Sequence, residues 1–407
     1  MALRDGFSAF RYRNFKILFV VNIVTNIGTW SQRVAQDWLV LELSGTGREL
    51  GLVTGLQFAP ALLLSLYGGL LADRFSKRHL LMLTNLGGAL CAGFLGALVM
   101  TGSVQMWHVY LIAFGLGIFS AIDAPIRQSF TSELVAKTDL ANAVSLNSAN
   151  FNIGRLVGPG LTGISIASFG TGPSFIFNTA SFLIVILGLM SLRESDLHLT
   201  DPEQSRVSIH EAIEYVRGNT QIRTLMILVF FGATFGLNNQ IFNALMTTTV
   251  YHKGPAQFGL LGSTLAIGAL IGALISARLP NGRTPVQITR FAMMFGVSIA
   301  VITYAPNYLA YASLLPIGGA LAISTMVSAN SFVQTNTDPQ MRGRVMGIYL
   351  MVFLGGTPIG SPVVGYLSAQ LGIQETMRIC GAITLLAAIY ANMTLRRNSV
   401  SSTTQVA

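Results

Sequence analysis

The segment most informative about the fold is Gly154-Arg155-Leu156-Val157-Gly158-Pro159-Gly160-Leu161-Thr162-Gly163. It places closely spaced glycines, a proline and an arginine inside a predominantly apolar segment. The same glycine spacing returns 202 residues later, at Gly356, Gly360 and Gly365. Because this offset is about half of the 407-residue chain, the sequence predicts two related halves laid end to end.

The composition places both halves in a lipid bilayer. Hydrophobic residues make up 52% of the chain and charged residues 10%, against about 25% charged residues in a typical soluble domain. Twelve apolar segments reach about 20 residues, the length that spans a bilayer core. We therefore predict an all-α membrane protein with twelve transmembrane helices in two pseudo-symmetric six-helix bundles. The bundles cover 1–192 and 222–407, the second with a short tail, and a linker joins them at 193–221.

The net charge of +9 comes from basic residues that cluster in short loops between apolar segments. This distribution follows the positive-inside rule, so it predicts a multi-pass protein of the cell membrane with both termini cytoplasmic, and it excludes a nucleic-acid partner. The linker is predicted to contain a short amphipathic helix on the membrane surface, opened by a capping box at 208–211. Two cysteines in apolar segments and five scattered histidines predict no disulfide, no metal site, no cofactor and no enzymatic activity.

The loop after the second apolar segment carries a recognisable motif. It reads Gly69-Leu70-Leu71-Ala72-Asp73-Arg74-Phe75-Ser76-Lys77-Arg78. This resembles the signature loop of the major facilitator superfamily, glycine-x-leucine-alanine-aspartate-arginine followed by a basic pair, with Ser76 in place of the second glycine. The corresponding region of the second half, 276–283, has lost the acidic residue.

Gly154–Gly163 is similar to the fifth-helix motif of antiporters in that superfamily, with Thr162-Gly163 where the family has a glycine pair. The segments at 127–139 and 334–344 resemble the branch of enterobactin exporters and macrolide efflux proteins. The resemblance implies a monomeric secondary transporter that exports a small amphipathic molecule, siderophore-like or drug-like, by alternating access and proton antiport. A lipid or lysolipid flippase on the same scaffold is the alternative. One family feature is missing, because Leu111 and Ala113 stand where proton-coupled members carry a fourth-helix arginine.

A gate is expected where the signature loop meets the fourth and fifth helices. Asp73 can pair with a cation or stabilise a helix N-terminus there, and closely spaced glycines allow helices to approach. The predicted gating residues are Gly69, Asp73, Arg74, Arg127, Gly154, Gly158 and Pro159.

One face of the first apolar segment is polar over four turns. Lipid cannot satisfy such a face, so it is predicted to line a cavity. Its members are Asn22, Asn26, Thr29, Trp30, Arg33, Gln36 and Asp37. Two alternatives stay open for Arg33, which lies at the depth where an arginine can extend to the interface and which can also pair with Asp37.

Arg155 lies near the middle of its segment, where an unpaired arginine costs about 2.5–3.5 kcal/mol. It is predicted to contact a wet transport pathway, with a structural ion pair as the alternative. Asp37 and Asp123 are the two acidic residues clearly within spans, so one of them is the expected proton carrier. Asp123 has a competing interpretation as the partner of Arg127 in a gate.

Polar amides of the second half are expected to face the same central site, at the bilayer midplane. Asn239, Asn243 and Asn330 are the candidates, although each could instead hold helices together. The predicted substrate and coupling residues are Asn26, Trp30, Arg33, Asp37, Asp123, Arg155, Asn239, Asn243 and Asn330. Two arginines within the spans favour an anionic substrate, with a neutral or cationic drug as the near alternative.

Overall fold

A computed structural model describes residues 7–198, 209–278 and 283–404, with the side chains of all of these except 65, 66, 69, 73, 209 and 398–404. The described residues form helices joined by short loops. Nine of these helices are long and apolar enough to cross a membrane, by length and composition, within the described part of the chain. The predicted all-α membrane fold is therefore confirmed, and the count of twelve spans is compatible with it.

The helices of the first half follow the predicted segments closely. After a 3₁₀ turn at Ser8–Arg11, they are α1 Arg13–Ser44, α2 Gly47–Arg74, α3 Lys77–Met100, α4 Met106–Glu133, α5 Leu140–Phe169 and α6 Gly172–Met190. Helices α1 to α5 extend a few residues beyond their apolar segments, because polar helix ends reach past the hydrophobic part.

The remaining helices follow the linker. They are α7 Ile209–Gly218, α8 Thr220–Phe231, α9 Asn239–Leu245, α10 Pro255–Ala277, α11 Pro285–Val301, α12 Tyr308–Thr335, α13 Arg342–Leu371 and α14 Ile373–Thr404. The bounds of α4 and α12, and those of α5 and α13, differ by the same 202 residues as the glycines. The repeat seen in the sequence thus extends to the ends of whole helices.

The chain divides into two compact units. The first contains 1–45, 56–203 and 253–263, and the second contains 46–55, 204–252 and 264–407. Each unit has its own apolar cluster, one including Phe15, Phe130 and Leu189 and the other including Tyr349 and Ile288. The domain boundaries taken from the sequence stay a prediction.

The glycines of the opening stretch bring α5 against α1. A Cβ atom at Gly154 would lie 2.7 Å from Cβ of Asn26, and one at Gly158 would lie 2.7 Å from Cβ of Trp30. In the second unit Gly356 and Gly360 take the same positions on α13 and pack against Thr234. Small residues at four-residue spacing let two helix backbones approach in this way.

The sequence predicts one continuous helix for the seventh apolar segment, 222–246, and the structure differs from this prediction. Between α8 and α9 it has a π-helical turn at Gly232–Gly236 and an interruption at Leu237–Asn238. The Asn238 amide donates to the carbonyl of Thr234 over 2.7 Å, which competes with the main-chain hydrogen bonds of a regular helix. Two glycines in this turn lower its helix propensity further.

The linker helix α7 packs on the second unit. Ala212 is fully buried, and Tyr215 and Val216 contact the apolar cluster of that unit. The Tyr215 hydroxyl accepts a hydrogen bond from the backbone amide of Asp338 over 3.2 Å. The predicted helix is present, and its apolar face is covered by protein at these positions. Ser208, which was expected to cap it, lies outside the described residues.

The N-terminal turn is attached to the start of α5 by polar contacts. The Ala9 amide donates to Asn142 Oδ1 over 3.0 Å, and the Tyr12 hydroxyl donates to Asp139 Oδ2 over 2.9 Å. Hydrogen bonds from Ser8 and Tyr12, with Arg11 nearby, hold the pKa of Asp139 below its ordinary value, although burial acts in the opposite direction. The ionised carboxylate therefore stabilises the attachment.

The glycine contact predicts that Gly158→Ala destabilises the protein. The added methyl group must displace Trp30 or the α1 backbone, and such overpacking costs about 1–3 kcal/mol. Thermal unfolding in detergent measures the effect. Gly347→Ala is the matched control, because Gly347 is helical and exposed and an added Cβ there meets no atom within 4 Å. Equal unfolding temperatures for the two variants would contradict the proposed packing.

The attachment of the N-terminal turn is expected to depend on pH in one direction. Because the pKa of Asp139 is lowered in the folded protein, its stabilisation is present above the unfolded-state value of about 4 and is lost as pH falls through the folded value. Asp139→Asn should release the turn at neutral pH. Hydrogen exchange at the Ala9 amide measures this, with Asp338→Asn as the control. Unchanged protection in Asp139→Asn would show that Asn142 alone holds the turn.

Candidate functional site

The first unit contains a polar cavity of about 710 Å³. Four residues of the predicted polar face line it, namely Asn22, Asn26, Thr29 and Arg33. The other three predicted residues, Trp30, Gln36 and Asp37, do not. Gln36 is 1% and Asp37 4% exposed, so the polar face of α1 serves two purposes, partly lining a cavity and partly packing against helices.

Asp123 and Arg127 form an ion pair at the cavity wall. Arg127 donates from Nε to Asp123 Oδ2 over 2.7 Å and from Nη2 to Oδ1 over 3.0 Å. Asp123 Oδ1 also accepts from Thr84 over 2.8 Å and from Asn85 over 3.2 Å, and Arg127 Nη1 donates to Asn22 over 2.8 Å. This network joins α1, α3 and α4. The geometry agrees with the ion-pair interpretation of Asp123, whose function stays a prediction.

Thr84 and Asn85 were not singled out from the sequence. Asn85 is 1% exposed and lies in an otherwise apolar part of α3. An asparagine inside an apolar span is unusual enough to have indicated a functional or packing position. Thr84 carries no such signal, because threonine hydroxyls often bond to the backbone of their own helix.

Arg33 and Asp37 do not form the ion pair that the sequence left open as one alternative. Among the described residues, no nitrogen of Arg33 lies within 4.0 Å of a carboxylate oxygen. The Arg33 guanidinium instead lies 4.9 Å from the ring centre of Trp30 and 5.5 Å from that of Phe58. Attraction between a cation and an aromatic face stabilises this position.

Arg155 lies near the same tryptophan. Its guanidinium is 5.9 Å from the ring centre of Trp30, and no described carboxylate lies within 4.0 Å of it. The contact follows from the helix packing, because Gly158 rests on Trp30 and Arg155 precedes it by nearly one turn. The ion-pair alternative for Arg155 thus has no partner in the described part of the chain.

Unpartnered polar atoms concentrate on one stretch of α1. Six buried side-chain nitrogen and oxygen atoms lack a hydrogen-bond partner in the described protein. Four of them fall between residues 32 and 37, namely Gln32 Nε2, Arg33 Nε, Gln36 Oε1 and Asp37 Oδ2. Buried polar groups are normally paired, so each such atom calls for a partner from solvent or a ligand. The cluster indicates a site that accepts a polar ligand or water.

The predicted amides of the second unit are held differently. Asn243 is 3% exposed, and its Oδ1 accepts from the Tyr311 hydroxyl over 3.0 Å. Asn239 and Asn330 are partly exposed. Neighbouring Asn238 accepts from Ser361 over 2.9 Å. Asn243 and Asn238 therefore join helices, and a ligand role for Asn239 and Asn330 stays a prediction.

Apart from Arg127, the predicted gating residues fall into two groups, one in α5 and one at the end of α2. Gly154, Gly158 and Pro159 are buried in α5. Arg74 ends α2 and is exposed. The side chains of Gly69 and Asp73 lie outside the described set, so their predicted gating role is not tested.

The basic pair that follows the signature loop binds distant acidic residues. Lys77 pairs with Glu133 at the end of α4, and Arg78 pairs with Glu194 over 2.8 Å. Arg78 also donates to the carbonyls of Leu189 and Met190. These contacts connect the start of α3 to the ends of α4 and α6, and the sequence did not indicate the acidic partners.

The nine candidate spans among the described residues and the polar cavity of the first unit define a multi-pass membrane protein with the features of a transporter. A family model described as "Transmembrane secretion effector" matches residues 4–407. The chain belongs to this family of major facilitator transporters, and it is not an enzyme. The resemblance read from the signature loop is thereby confirmed.

Curated relatives cover nearly the whole chain. The staphyloferrin A transporter of Staphylococcus aureus (strain NCTC 8325 / PS 47) is 24% identical over 91% of this chain and 93% of its own length. The multidrug efflux pump Tap of Mycolicibacterium fortuitum is 26% identical over 92% and 94%. The enterobactin exporter EntS of Salmonella typhi is 23% identical over 88% and 86%.

Solved structures support the fold. A bacterial homologue of the human lysosomal transporter Spinster, in an inward-facing and unoccupied conformation, superposes with a TM-score of 0.77 at 15% identity, covering 94% of this chain and 96% of that one. The nucleoside transporter NupG gives 0.74 at 13% identity, covering 94% and 99%. At these identities the likeness establishes the major facilitator fold alone.

The ion pair at the cavity wall predicts coupled effects on stability. Asp123→Asn and Arg127→Gln should each destabilise the protein by about 1–3 kcal/mol, because each leaves a partly buried group without its partner. The double variant should be less destabilised than the sum of the two. A double-mutant cycle from thermal unfolding measures the coupling. Additive effects would show that the pair contributes nothing beyond its separate contacts.

Proposed function

We propose that this protein exports a small amphipathic organic molecule from the cytoplasm by proton antiport and alternating access. Both termini lie on the cytoplasmic side, and the protein acts as a monomer in the cytoplasmic membrane. The observation that carries the proposal is the polar cavity of about 710 Å³. A cavity of this size holds one drug-sized molecule.

The names of the relatives favour this class of substrate. They are described as a staphyloferrin A transporter, a multidrug efflux pump and an enterobactin exporter. Siderophores and drugs share a polar part and an apolar part. The cavity offers both kinds of wall, with asparagines and Arg33 beside Phe119, Phe151 and Phe182.

Asp37 is the proposed proton carrier. It is 4% exposed, and its Oδ2 atom has no hydrogen-bond partner in the described protein, so a proton can be accepted there. Asp123 is the weaker candidate, because four hydrogen bonds from three residues occupy its oxygens. Among the described residues, Arg33 on α1 is the charged side chain that interacts electrostatically with Asp37, and Arg155 on α5 interacts in turn with Arg33.

The gate is proposed to use the closely packed α1–α5 contact and the signature loop. The close contact at Gly154 and Gly158 lets α1 and α5 tilt together as one rigid pair. Pro159 removes a main-chain hydrogen bond of α5, which permits this helix to bend there. Asp73 and Arg74 close the transport pathway at the signature loop. Arg127 and Asp123 hold α1, α3 and α4 together during the conformational change.

Transport in proteoliposomes tests the proposal. An imposed pH gradient should drive a fluorescent dye, a macrolide or a siderophore across the membrane, and Asp37→Asn should reduce the pH-driven rate at least tenfold. Asp123→Asn is the matched comparison. Its transport should still be driven by the pH gradient, at a rate lowered by the loss of the contact with Arg127. If only Asp123→Asn lost pH-driven transport, Asp123 would be the proton carrier and Asp37 would not. Transport that does not depend on the pH gradient would overturn proton antiport. Inhibition of transport by added phospholipid would favour a flippase over an exporter of a soluble substrate.

A further inference from the structure

Two arginines that share one tryptophan lack acidic partners in the first unit. The guanidiniums of Arg33 and Arg155 lie 4.9 and 5.9 Å from the ring centre of Trp30. No carboxylate oxygen of a described residue lies within 4.0 Å of either. Two cations near one ring repel each other. The carboxylate of Asp37 attracts Arg33 from beyond 4.0 Å, so with Asp37 ionised the three side chains still carry one positive charge without a counter-charge.

Other arginines of the described chain have close polar partners. Arg127 binds Asp123, Arg78 binds Glu194, and Arg378 binds Glu375. Arg283, which is 7% exposed, donates to the hydroxyls of Ser276 and Ser328 over 2.8 and 2.6 Å. Arg344 Nε in the second unit is, like Arg33 Nε, buried without a hydrogen-bond partner. Arg33 and Arg155 differ from these other arginines because their two guanidiniums lie near the same aromatic ring.

The repeated architecture separates packing from charge at this place. Gly356 and Gly360 of α13 pack against Thr234 as Gly154 and Gly158 pack against α1. Position 357, the counterpart of Arg155, is threonine. A tight contact of this kind therefore forms without an arginine, so packing does not explain Arg155.

The surroundings of the two guanidiniums suit an organic ligand. Arg33 also contacts Phe58 over 5.5 Å, and Trp30 contacts Phe151 with ring centres 5.8 Å apart. Arg33 and Phe151 both line the cavity. Trp30 and Arg155 are not among its lining residues, but Trp30 contacts Arg33 and Phe151, and Arg155 lies next to Trp30. Its other charged lining residues in the described chain, Asp123 and Arg127, neutralise each other, so the charge left over in the cavity is positive.

We infer that Arg33 and Arg155 form a subsite for the anionic group of an organic anion, whose apolar body lies against Trp30 and Phe151. The inference rests on the proposed function and narrows its substrate class to anions. The bound anion offsets the repulsion between the two guanidiniums and provides a partner for Arg33 Nε, which is buried and unpaired. Hydrogen bonds between charged groups are the strongest available for this purpose.

Three probes of one shape and different charge test the subsite. Tritiated 2-naphthoate is bound to the full-length protein in nanodiscs, with 2-naphthalenemethanol and 2-naphthylmethylammonium as neutral and cationic competitors. The naphthoate should bind at least tenfold more tightly than either competitor. Arg33→Gln and Arg155→Gln should each weaken naphthoate binding about tenfold or more and leave the neutral probe unchanged, because one charged hydrogen bond is lost.

Controls separate the subsite from general effects. Arg378→Gln removes an arginine of the other unit and should leave naphthoate binding unchanged. Arg155→Lys keeps the charge and should retain part of the affinity, which protects the test if Arg155→Gln fails to fold. Quenching of tryptophan fluorescence by naphthoate should fall in Trp30→Phe. Equal binding of the three probes, or unchanged naphthoate binding in folded Arg155→Gln, would overturn the subsite.

The outcome for transport is read separately. Naphthoate binding that requires both arginines supports the subsite, even if the proteoliposomes transport no dye, macrolide or siderophore. Such a lack of transport would count against the export proposal and not against the subsite. Transport of a cationic dye that is unaffected by Arg33→Gln and Arg155→Gln would refute the anion subsite and leave the export proposal standing.

Discussion

A polar group on a membrane helix must face protein or a water-filled cavity, because lipid offers it no hydrogen-bond partner. Helix α1 shows how strongly this requirement shapes the first unit. Its Asn26 donates to Asn150, Thr25 donates to the Ser181 carbonyl, and Gln36 donates to Gln57. These bonds join α1 to α2, α5 and α6. The arrangement of helices around α1 is thus fixed by hydrogen bonds as well as by packing, and the cavity lies beside the same polar face of α1, at Asn22, Asn26, Thr29 and Arg33.

The two repeated halves of the chain meet this requirement for polar partners in different ways. Both units use glycines at matching positions to bring one helix onto another, at Gly158 in the first and Gly360 in the second. In the second unit the neighbouring polar groups are satisfied internally, for example Asn238 by Ser361. The first unit keeps charged groups at the corresponding level. One copy therefore retains a packed, neutral contact while the other carries the charges, so the repeat shares its backbone design and differs in chemistry.

The sequence predicted the parts of this structure that repeat or have a period. Apolar length gave the spans, and the 202-residue offset matches the bounds of α5 and α13. Partners from distant segments could not be predicted. The contacts of Asp123 with Thr84 and Asn85, and of Lys77 with Glu133, depend on which helices become neighbours. The interruption at Leu237–Asn238 arises from one side chain that bonds to a carbonyl four residues before it, a local competition that apolar patterning does not register.

The two acidic residues within the spans show why position alone does not assign a role. Asp37 and Asp123 are both in polar stretches of apolar helices, and the sequence leaves them equivalent. In the structure Asp123 has a bidentate arginine and two further donors, whereas one oxygen of Asp37 has no partner in the described protein. A carboxylate held by several donors stabilises helix contacts, and protonating it would break those contacts. A carboxylate with a free oxygen can change its charge while its neighbours stay in place, so hydrogen bonding, more than depth in the membrane, separates the two residues.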